Sequence, residues 1–449
     1  MAGCDSGSGS REEQRPRAAR DAPNVVVVMT DDQRAGELGV MPRVRRLVGR
    51  RGTAFTRSFA SFPLCCPSRA TFLTGQYAHN HGVRDNRPAA GGGVEALEDS
   101  EALPVWLRRA GFATAHVGKY LNGYRGPEPP EGWNEWHATV DPTTYGSYGF
   151  AASRNGTVVH PRGFQGDWVT RRARALARRL PRPFFLSVAY LAPHEDRDLD
   201  RGRCRETARP APRHLGRISV SRFRPAPSFD EARMADKPSF IRAQPLLAPA
   251  LERAQARAWA CRLESLMAVD EGVAALMRAL RRRGVLRDTL FVFTSDNGYF
   301  LGEHRLPDNK INVYEEAVRV PLLMRGPGVR RNAREPRLTA NVDLAATIVD
   351  AAGAEPGVEL DGISLLRGRP PADRAILLEN LATGQPRFTR YAAVRTPRWA
   401  YAEYEGGEYE LYDLRRDPHQ LRSLRRAKAL PALRAKLERL RGCAGGDCR

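Results

Sequence analysis

The chain has 449 residues, of which 42% are hydrophobic and 27% are charged. This composition excludes wholesale disorder, and the length predicts two or three domains. The 72 lysines and arginines against 51 acids give a formal net charge of +21, which makes nucleic acid, anionic lipid and sulfated polysaccharide candidate partners.

The positive charge is almost entirely arginine. Lysine occurs only at positions 119, 237, 310, 428 and 436. A nucleic-acid-binding surface would use both residues freely, so the ratio indicates a compositional bias that replaces lysine with arginine. Under that bias each remaining lysine is informative, because arginine cannot act as a compact, titratable charge.

The first 22 residues are rich in Gly, Ser and Arg, which predicts a disordered leader. Within it, Ala2-Gly3-Cys4 resembles the end of a bacterial lipoprotein signal, although the charged and hydrophobic parts of a signal do not precede it. Two interpretations follow: an exported protein with a lipid anchor at Cys4, or a chance cysteine. The longest apolar run near the start, residues 25–29, is far shorter than the roughly 20 residues of a membrane-spanning helix.

Short apolar runs, several of them rich in β-branched residues, alternate with helical patterns along residues 23–375. They predict buried strands at 25–29, 113–117, 183–190, 289–293 and 320–324, and helices that include 103–110 and 254–283. Alternating strands and helices are typical of a mostly parallel α/β sheet flanked by helices. Residues 196–250 are Arg- and Pro-rich with weak periodicity, which indicates a long surface excursion.

The pattern changes near the C-terminus, where residues 376–449 are expected to form a smaller unit. Short alternating runs at 391–396, 399–404 and 409–414, with a Gly-Gly turn at 406–407, predict antiparallel strands. A helical pattern at 430–440 follows. These elements predict a small antiparallel α+β subdomain.

The seven cysteines are too sparse for a disulfide scaffold. Cys443 and Cys448 could close a small terminal loop, and Cys204 could pair with Cys261. Both pairings would indicate an oxidising compartment.

Polar residues follow three of the predicted strands, at the edge where parallel sheets gather ligands. Asp31, Asp32, Asp296 and Asn297 offer hard oxygen donors, which suit Ca²⁺ or Mg²⁺, and His194 follows a third strand. The alternative is that these residues only form helix caps or Asx turns.

Residues 65–75 read Cys-Cys-Pro-Ser-Arg-Ala-Thr-Phe-Leu-Thr-Gly. A cysteine that enters a helix is a candidate nucleophile, because the helix N-terminus and Arg69 would stabilise negative charge at Cys65. A structural disulfide or an inert thiol fits the same spacing, so spacing alone leaves all three open.

Cys-x-Pro-Ser-Arg followed by Leu-Thr-Gly resembles the signature of type I sulfatases. The resemblance covers most of the chain and includes residues 24–28, 31–32, 118–119, 193–194, 295–298, 301–304, 310, 314–316, 319–321, 410–414 and 417–418. Nearer resemblance is to N-acetylglucosamine-6-sulfatases and extracellular heparan endosulfatases, through Cys65-Cys66 and the strings at 79–81, 118–122, 306–310 and 325–328.

The resemblance implies an alkaline-phosphatase-like fold and hydrolysis of a sulfate ester, with a sulfated sugar as the expected substrate. It implies that a formylglycine-generating enzyme converts Cys65 to Cα-formylglycine, whose hydrate attacks sulfur and later releases sulfate. Calcium, with magnesium as the alternative, would bind Asp31, Asp32, Asp296, Asn297 and the converted Cys65. Arg69, Lys119 and Lys310 would hold sulfate oxygens, and His194 would protonate the leaving sugar oxygen.

One position departs from the family pattern. Many sulfatases have a histidine two residues after the lysine of Gly-Lys, where it assists sulfate expulsion, but Leu121 stands here beside Asn122. His79, His81 and His304 are candidates to replace it, with a polar rim position as the alternative for each. Together with Asn122 they are predicted substrate-binding residues.

A sulfatase is therefore the main prediction, with two alternatives. One is a formylglycine-dependent phosphonate or phosphodiester hydrolase, and the other is a non-catalytic polyanion-binding protein, should Cys65 stay unmodified. Nucleic acid is not expected as a partner, because no recognition motif accompanies the charge. The expected location is secreted or at the cell surface, with the cytoplasm left open.

Overall fold

The computed structural model describes residues 22–197, 202–382 and 389–449. The predicted leader, with Cys4, lies outside the described residues except for Ala22. Within the described ranges, no helix combines the length and the apolar character needed to cross a membrane.

The described elements alternate for most of the chain. The strands are β1 (Asn24–Thr30), β2 (Thr53–Phe59), β3 (Ala113–Gly118), β4 (Glu135–Val140), β5 (Ala151–Arg154), β6 (Thr157–Val159), β7 (Phe184–Ala189), β8 (Thr289–Ser295), β9 (Phe300–Leu301), β10 (Pro307–Asn309), β11 (Arg319–Arg325), β12 (Ala333–Glu335), β13 (Thr339–Ala340), β14 (Ile376–Asn380), β15 (Tyr391–Arg395), β16 (Trp399–Tyr404) and β17 (Tyr409–Asp413). The helices are α1 (Pro42–Val44), α2 (Cys65–Thr74), α3 (Ala78–His81), α4 (Leu103–Arg109), α5 (Gln165–Arg179), α6 (Ser239–Arg242), α7 (Pro249–Arg282), α8 (Glu315–Val318), α9 (Asp343–Ala352) and α10 (Leu430–Arg441).

The large sheet has the order β12-β2-β11-β8-β1-β7-β3-β4-β5-β6, with β13 also paired to β2. Its centre is parallel: β1 pairs with β7 and β8, and β3 pairs with β7 and β4. β11 runs antiparallel to both β8 and β2. The predicted mostly parallel α/β sheet is confirmed, and each of the five predicted strands is present.

Helices cover both faces of this sheet, which explains why the central strands are apolar throughout. Val26 and Val28 of β1 pack on the face covered by α5 and α7. Val25 and Val27 pack on the opposite face, which is covered by α2, α4 and α9. A strand buried on both faces has no polar side to expose, so all seven residues of β1 are buried. The sheet therefore holds the loops at its edge on a rigid base.

The C-terminal elements form a separate antiparallel sheet with the order β14-β15-β16-β17. Leu433, Leu437 and Leu440 of α10 are buried in the same cluster as Tyr391 and Val394 of β15. The predicted antiparallel α+β subdomain is confirmed. β14 was not predicted from the sequence, because its five residues Ile-Leu-Leu-Glu-Asn do not alternate.

The region after β7 contains 3-10 turns, the short helix α6 and irregular chain between residues 202 and 248. A disulfide joins Cys204 to Cys261 in α7, and a second joins Cys443 to Cys448. Both pairings that the sequence left possible are therefore present. Beside the first disulfide, Arg203 forms an ion pair of 2.9 Å with Glu264, whose side chain is fully buried.

We expect the Cys204–Cys261 disulfide to stabilise the fold more than the Cys443–Cys448 disulfide. The first bond joins residues 57 positions apart and the second joins residues five apart. Loop-closure entropy then predicts a loss of about 4 kcal/mol for C204A/C261A and about 2 kcal/mol for C443A/C448A. Urea denaturation of both double variants measures the difference. A larger loss for C443A/C448A would contradict the prediction.

Candidate active site

Three acids meet at the carboxyl edge of the central strands. Asp31 and Asp32 directly follow β1, and Asp296 directly follows β8. Because β1 and β8 are parallel neighbours with Thr30 opposite Ser295, the two loops emerge side by side. One carboxylate oxygen from each acid lies within 4.8 Å of the others, and all three side chains are at most 1% exposed.

Asn297 completes this group. Its Nδ2 donates to Oδ1 of Asp32 at 2.7 Å, and the backbone N–H of Asp32 donates to Oδ1 of Asp296 at 3.0 Å. Two buried oxygens, Oδ2 of Asp32 and Oδ1 of Asn297, have no hydrogen-bond partner among the described residues. Buried carboxylate and amide oxygens without donors fit a hard divalent cation. The four predicted ligands are therefore brought together, and they can hold such an ion.

Three cations surround the acids. Lys119, which directly follows β3, forms an ion pair with Oδ2 of Asp31. Lys310, which follows the β9–β10 hairpin, places Nζ 2.5 Å from Oδ1 of Asp32. Arg69 of α2 donates from Nη2 to Asp31 at 3.0 Å and from Nε to Asp296 at 2.9 Å. The predicted cationic residues thus converge from three different elements.

Gly118, the last residue of β3, is required at its position directly before Lys119. Its φ of +104° lies in the region that only glycine adopts readily, and a Cβ there would lie 1.8 Å from the carbonyl oxygen of Ala189 in β7. The glycine therefore lets the chain turn so that Lys119 enters the site.

The charges shift the pKa values of the acids in opposite directions. Burial raises the pKa of Asp31, but Lys119 and Arg69 lower it by more, so it lies well below its ordinary range. Burial and the charge of Asp31 raise the pKa of Asp296 to about 6 despite Arg69. One carboxylate is therefore poorly compensated by the protein's own cations, which favours binding of a further positive charge.

Cys65 is the first residue of α2 and is 1% exposed. Its Sγ lies 3.0 Å from Nζ of Lys310 and 3.5 Å from Oδ1 of Asp31. Burial and the neighbouring charge of Asp31 raise the pKa of the thiol to about 12, although Lys119 and Lys310 lower it. Of the readings left open for this cysteine, a disulfide is excluded, since both Cys65 and Cys66 are free, and the unmodified thiol stays protonated.

His194 lies beside Cys65. A ring nitrogen of His194, Sγ of Cys65 and an oxygen of Asp31 all lie within 4.8 Å of one another. Nδ1 is 2.9 Å from the carbonyl oxygen of Glu195, and Nε2 is 3.8 Å from Oδ2 of Asp32. Burial lowers the pKa of His194 although Asp32 and Asp31 raise it. The free nitrogen therefore points toward the acids.

Tyr145 was not predicted from the sequence, because it lies in a short 3-10 turn (Thr143–Tyr145) that carries no motif. Its ring centroid is 4.9 Å from the His194 ring and 4.7 Å from Nζ of Lys119. Its hydroxyl accepts a hydrogen bond of 2.5 Å from Nδ2 of Asn122. Asn122, a predicted substrate-binding residue, is thus linked to the site through Tyr145.

The other predicted substrate-binding residues are engaged elsewhere. His79 is 3.0 Å from Oε2 of Glu379 in β14, and His81 is 3.0 Å from Oγ1 of Thr71. His304 is 2.8 Å from Oε2 of Glu231 and is itself fully buried. The structure does not bring these three histidines to Cys65. Leu121 is buried in the same apolar cluster as residues of α4, so its side chain packs in the core.

Comparisons with known proteins agree with this geometry. The profile of the family described as Sulfatase matches residues 23–354, and the profile described as N-sulphoglucosamine sulphohydrolase, C-terminal, matches residues 302–442. A Caenorhabditis elegans homolog of the extracellular sulfatase Sulf-1 is 33% identical over 362 residues, which are 76% of this chain and 48% of the relative. The chain thus spans about half the length of that relative.

Two further similarities cover nearly the whole chain. The N-acetylglucosamine-6-sulfatase of Homo sapiens is 30% identical over 488 residues, with 95% of this chain and 86% of the relative covered. A solved structure described as a complex with its substrate D-glucosamine-2-N,6-O-disulfate superimposes with a TM-score of 0.79 and 25% identity, and covers 93% of this chain and 97% of the other.

Unmodified Cys65 and Cys66 should react very slowly with iodoacetamide in the folded protein. The pKa of each thiol is raised from 9.0 to about 12, chiefly by burial. The thiolate fraction at pH 8 then falls about 1000-fold, and with it the rate of alkylation. The protein is made without the converting enzyme and labelled both folded and unfolded in guanidinium without reductant. Mass spectrometry then gives the alkylation rate of each cysteine in the two states. Rapid labelling of folded Cys65 would show an activated thiol instead.

His79 should make stability depend on pH. Burial lowers its pKa, but the hydrogen bond and charge of Glu379 raise it more, so the net shift is upward from 6.5. A raised folded-state pKa stabilises the protein fully below the unfolded-state pKa, and this stabilisation is lost as pH rises through the folded-state value. The urea midpoint should therefore fall between pH 6 and pH 8.5, and H79Q should remove that part of the fall. H160Q, at an exposed histidine, is the control, and equal pH profiles for H79Q and the unaltered protein would refute the assignment.

Proposed function

The chain belongs to the sulfatase family, and from that membership we propose that it hydrolyses a sulfate ester of a sulfated sugar of the glucosamine-6-sulfate type. The observation that carries the proposal is the cluster around Cys65. Three acids, one amide and three cations, each buried or nearly so, surround the first residue of α2. The alkaline-phosphatase-like fold is shared with solved sulfatases, and the 25% identical one was solved with a glucosamine disulfate.

We assign Asp31, Asp32, Asp296 and Asn297 to a bound Ca²⁺, with Mg²⁺ as the alternative. The two buried oxygens without donors and the raised pKa of Asp296 support this assignment. When bound, the ion would supply positive charge that offsets the negative charge of the sulfate and of the attacking hydroxyl. The protein's own contribution is to fix the four ligands on two adjacent parallel strands.

Position 65 is proposed to carry Cα-formylglycine made by a formylglycine-generating enzyme. The protonated state of the unmodified thiol supports this, because a thiol with a pKa of about 12 is a poor nucleophile at neutral pH. The hydrated aldehyde would supply a hydroxyl in its place. Lys310, 3.0 Å from Sγ of Cys65, would stabilise negative charge on that hydroxyl.

The three cations have different tasks. All of the hydrogen-bonding nitrogens of Arg69 are used: Nε by Asp296, Nη2 by Asp31 and Nη1 by the carbonyl oxygen of Lys119. We therefore assign Arg69 to orienting the carboxylates. Lys119 and Lys310 each present a compact ammonium group at the acids. They are therefore assigned to the sulfate oxygens, where they would stabilise the charge that develops during transfer.

Proton transfer is assigned to His194. His79, His81 and His304 are bound to other groups, whereas Nε2 of His194 faces Asp32. Burial lowers the pKa of His194 although Asp32 and Asp31 oppose this shift, so its imidazolium is a stronger acid than usual and would give a proton readily to the leaving sugar oxygen. Asn122 stays a proposed sugar contact, with Tyr145 beside it. We assign the other three histidines to holding the scaffold together.

The location follows the same evidence. Two disulfides and similarity to extracellular sulfatases support function outside the cytoplasm. Attachment through a lipid at Cys4 remains a prediction, since Cys4 lies outside the described residues. We also propose residues 23–375 as the catalytic unit and 376–449 as the smaller unit that closes one side of it.

The proposal is tested by co-expression with a formylglycine-generating enzyme. Mass spectrometry of the peptide that contains Cys65 should show the loss of mass that accompanies conversion of the thiol to an aldehyde. The protein should then hydrolyse an aryl sulfate and glucosamine-6-sulfate. C65A should lower kcat/KM by about 10⁴-fold or more, because the nucleophile is removed. C66A, at the equally buried neighbour, is the matched control and should keep activity.

Three outcomes would redirect the assignment. Preferential hydrolysis of an aryl phosphodiester would favour a phosphonate or phosphodiester hydrolase. An unmodified thiol at Cys65 with no activity would favour a polyanion-binding protein. Activity that survives EDTA would contradict the metal assignment.

A further inference from the structure

Arg262, in the middle of α7, contacts three of the loops that form the proposed site. Nη2 donates to the carbonyl oxygen of Asp32 at 2.5 Å, and Nη1 donates to the carbonyl oxygen of Pro193 at 3.2 Å. The guanidinium carbon lies 4.5 Å from the ring centroid of Tyr299, two residues after Asn297. These loops follow β1, β7 and β8, respectively, and each carries a proposed metal ligand or His194.

The charge of Arg262 is balanced locally by Glu37. Nε and Nη2 donate to the two carboxylate oxygens of Glu37 at 2.9 and 3.1 Å, and the two side chains are 2% and 5% exposed. A buried pair of this geometry adds no net charge to the neighbouring acids. The contribution of Arg262 to the site is therefore geometric.

Asp32 has a backbone conformation that needs such support. Its φ is +67°, in the left-handed region that a residue with a side chain adopts only where its surroundings hold it. Its N–H is fixed by Oδ1 of Asp296, and its carbonyl oxygen by Arg262. The adjacent N–H of Asp31 donates to the carbonyl oxygen of Ala192, two residues before His194. The loops after β1 and β7 are thus joined directly and again through one guanidinium.

We propose that Arg262 is a positioning residue that sets the backbone of Asp32 and the Pro193–His194 loop relative to each other. The consequence of this arrangement rests on the proposed function: Arg262 would direct the Asp32 carboxylate toward the cation and His194 toward position 65. Lysine could not replace it, because only the planar fork of arginine donates to Glu37, Asp32 and Pro193 at once. No motif marks Arg262, which is one of many arginines in this chain.

The test compares R262K with R374K. Arg374 is a matched control because it is also 2% exposed and forms a two-pronged pair with buried Asp343, at 2.6 and 2.7 Å, but contacts none of these loops. Hydrogen exchange is measured in chelator, without metal or substrate. We expect faster exchange in peptides that cover residues 30–37 and 190–196 for R262K and unchanged exchange there for R374K. Unchanged exchange in R262K, or equal acceleration in both variants, overturns the proposal.

A second measurement follows the consequence for the site. The Ca²⁺ concentration that gives half of the Ca²⁺-induced rise in Tm should increase about 10- to 100-fold in R262K, and kcat should fall by a similar factor with a smaller change in KM. R374K should lower Tm without moving either value. A Ca²⁺ response and kcat that match R374K would overturn the role in positioning.

The two proposals fail separately. If the unaltered protein neither binds Ca²⁺ nor hydrolyses sulfate esters, the proposed function fails, while the exchange comparison still decides whether Arg262 holds the loops. Should R262K not fold, the charge-balanced R262M/E37Q is measured against R374M/D343N in the same way. It avoids an unpaired buried charge, so accelerated exchange confined to the two loops again supports the proposal, and its absence refutes it.

Discussion

The site depends on one electrostatic constraint, the repulsion among three buried carboxylates. Two unit charges about 4 Å apart repel by about 4 kcal/mol at an effective dielectric constant near 20. One carboxylate oxygen from each of Asp31, Asp32 and Asp296 lies within 4.8 Å of the others, and these side chains have almost no access to water. The protein offsets the repulsion with Lys119, Lys310 and Arg69, and it does so incompletely, as the raised pKa of Asp296 shows. A cluster so close to balance favours both a divalent cation and an anionic sulfate beside it.

The parallel sheet holds the three carboxylates together against their mutual repulsion. Because β1 is buried on both faces and pairs in register with β7 and β8, the residues that follow these strands have little freedom to separate. The cations come from elsewhere: α2, the turn after β3 and the β9–β10 hairpin. Arg69 joins two acids to the backbone of Lys119, and Arg262 joins the loops behind them. Two arginines thus use several donors at once: Arg69 among the acids, and Arg262 in the loops that carry them.

The structure shows where the few lysines of this arginine-rich chain lie. Of the five lysines, Lys119 and Lys310 lie at the acids, and Lys237 is buried with Nζ 2.8 Å from the carbonyl oxygen of Gln420. Three of the five lysines thus act as compact cations inside the protein. Arginines instead form the two-pronged pairs with Glu37, Asp343 and Asp413. A bias that replaces lysine with arginine leaves the net charge of +21 unchanged, so the arginine content by itself marks no partner.

The sequence alone determined the α/β fold class, because apolar β-branched runs and helical periods are local patterns. Polar residues after strands and the long motif at 65–75, with the family resemblance that it carries, pointed to the residues around Cys65, whereas both disulfide pairings were only possibilities. The sequence could not determine that His79, His81 and His304 point elsewhere, since a histidine has the same local signature whether it faces a substrate or a glutamate such as Glu379. Nor could it find Tyr145 or Arg262, whose neighbours are more than 20 residues away along the chain. These contacts form only when the sheet assembles and α7 packs against the loops at its edge. They join segments that are distant in the sequence and share no periodicity, so no local pattern predicts them.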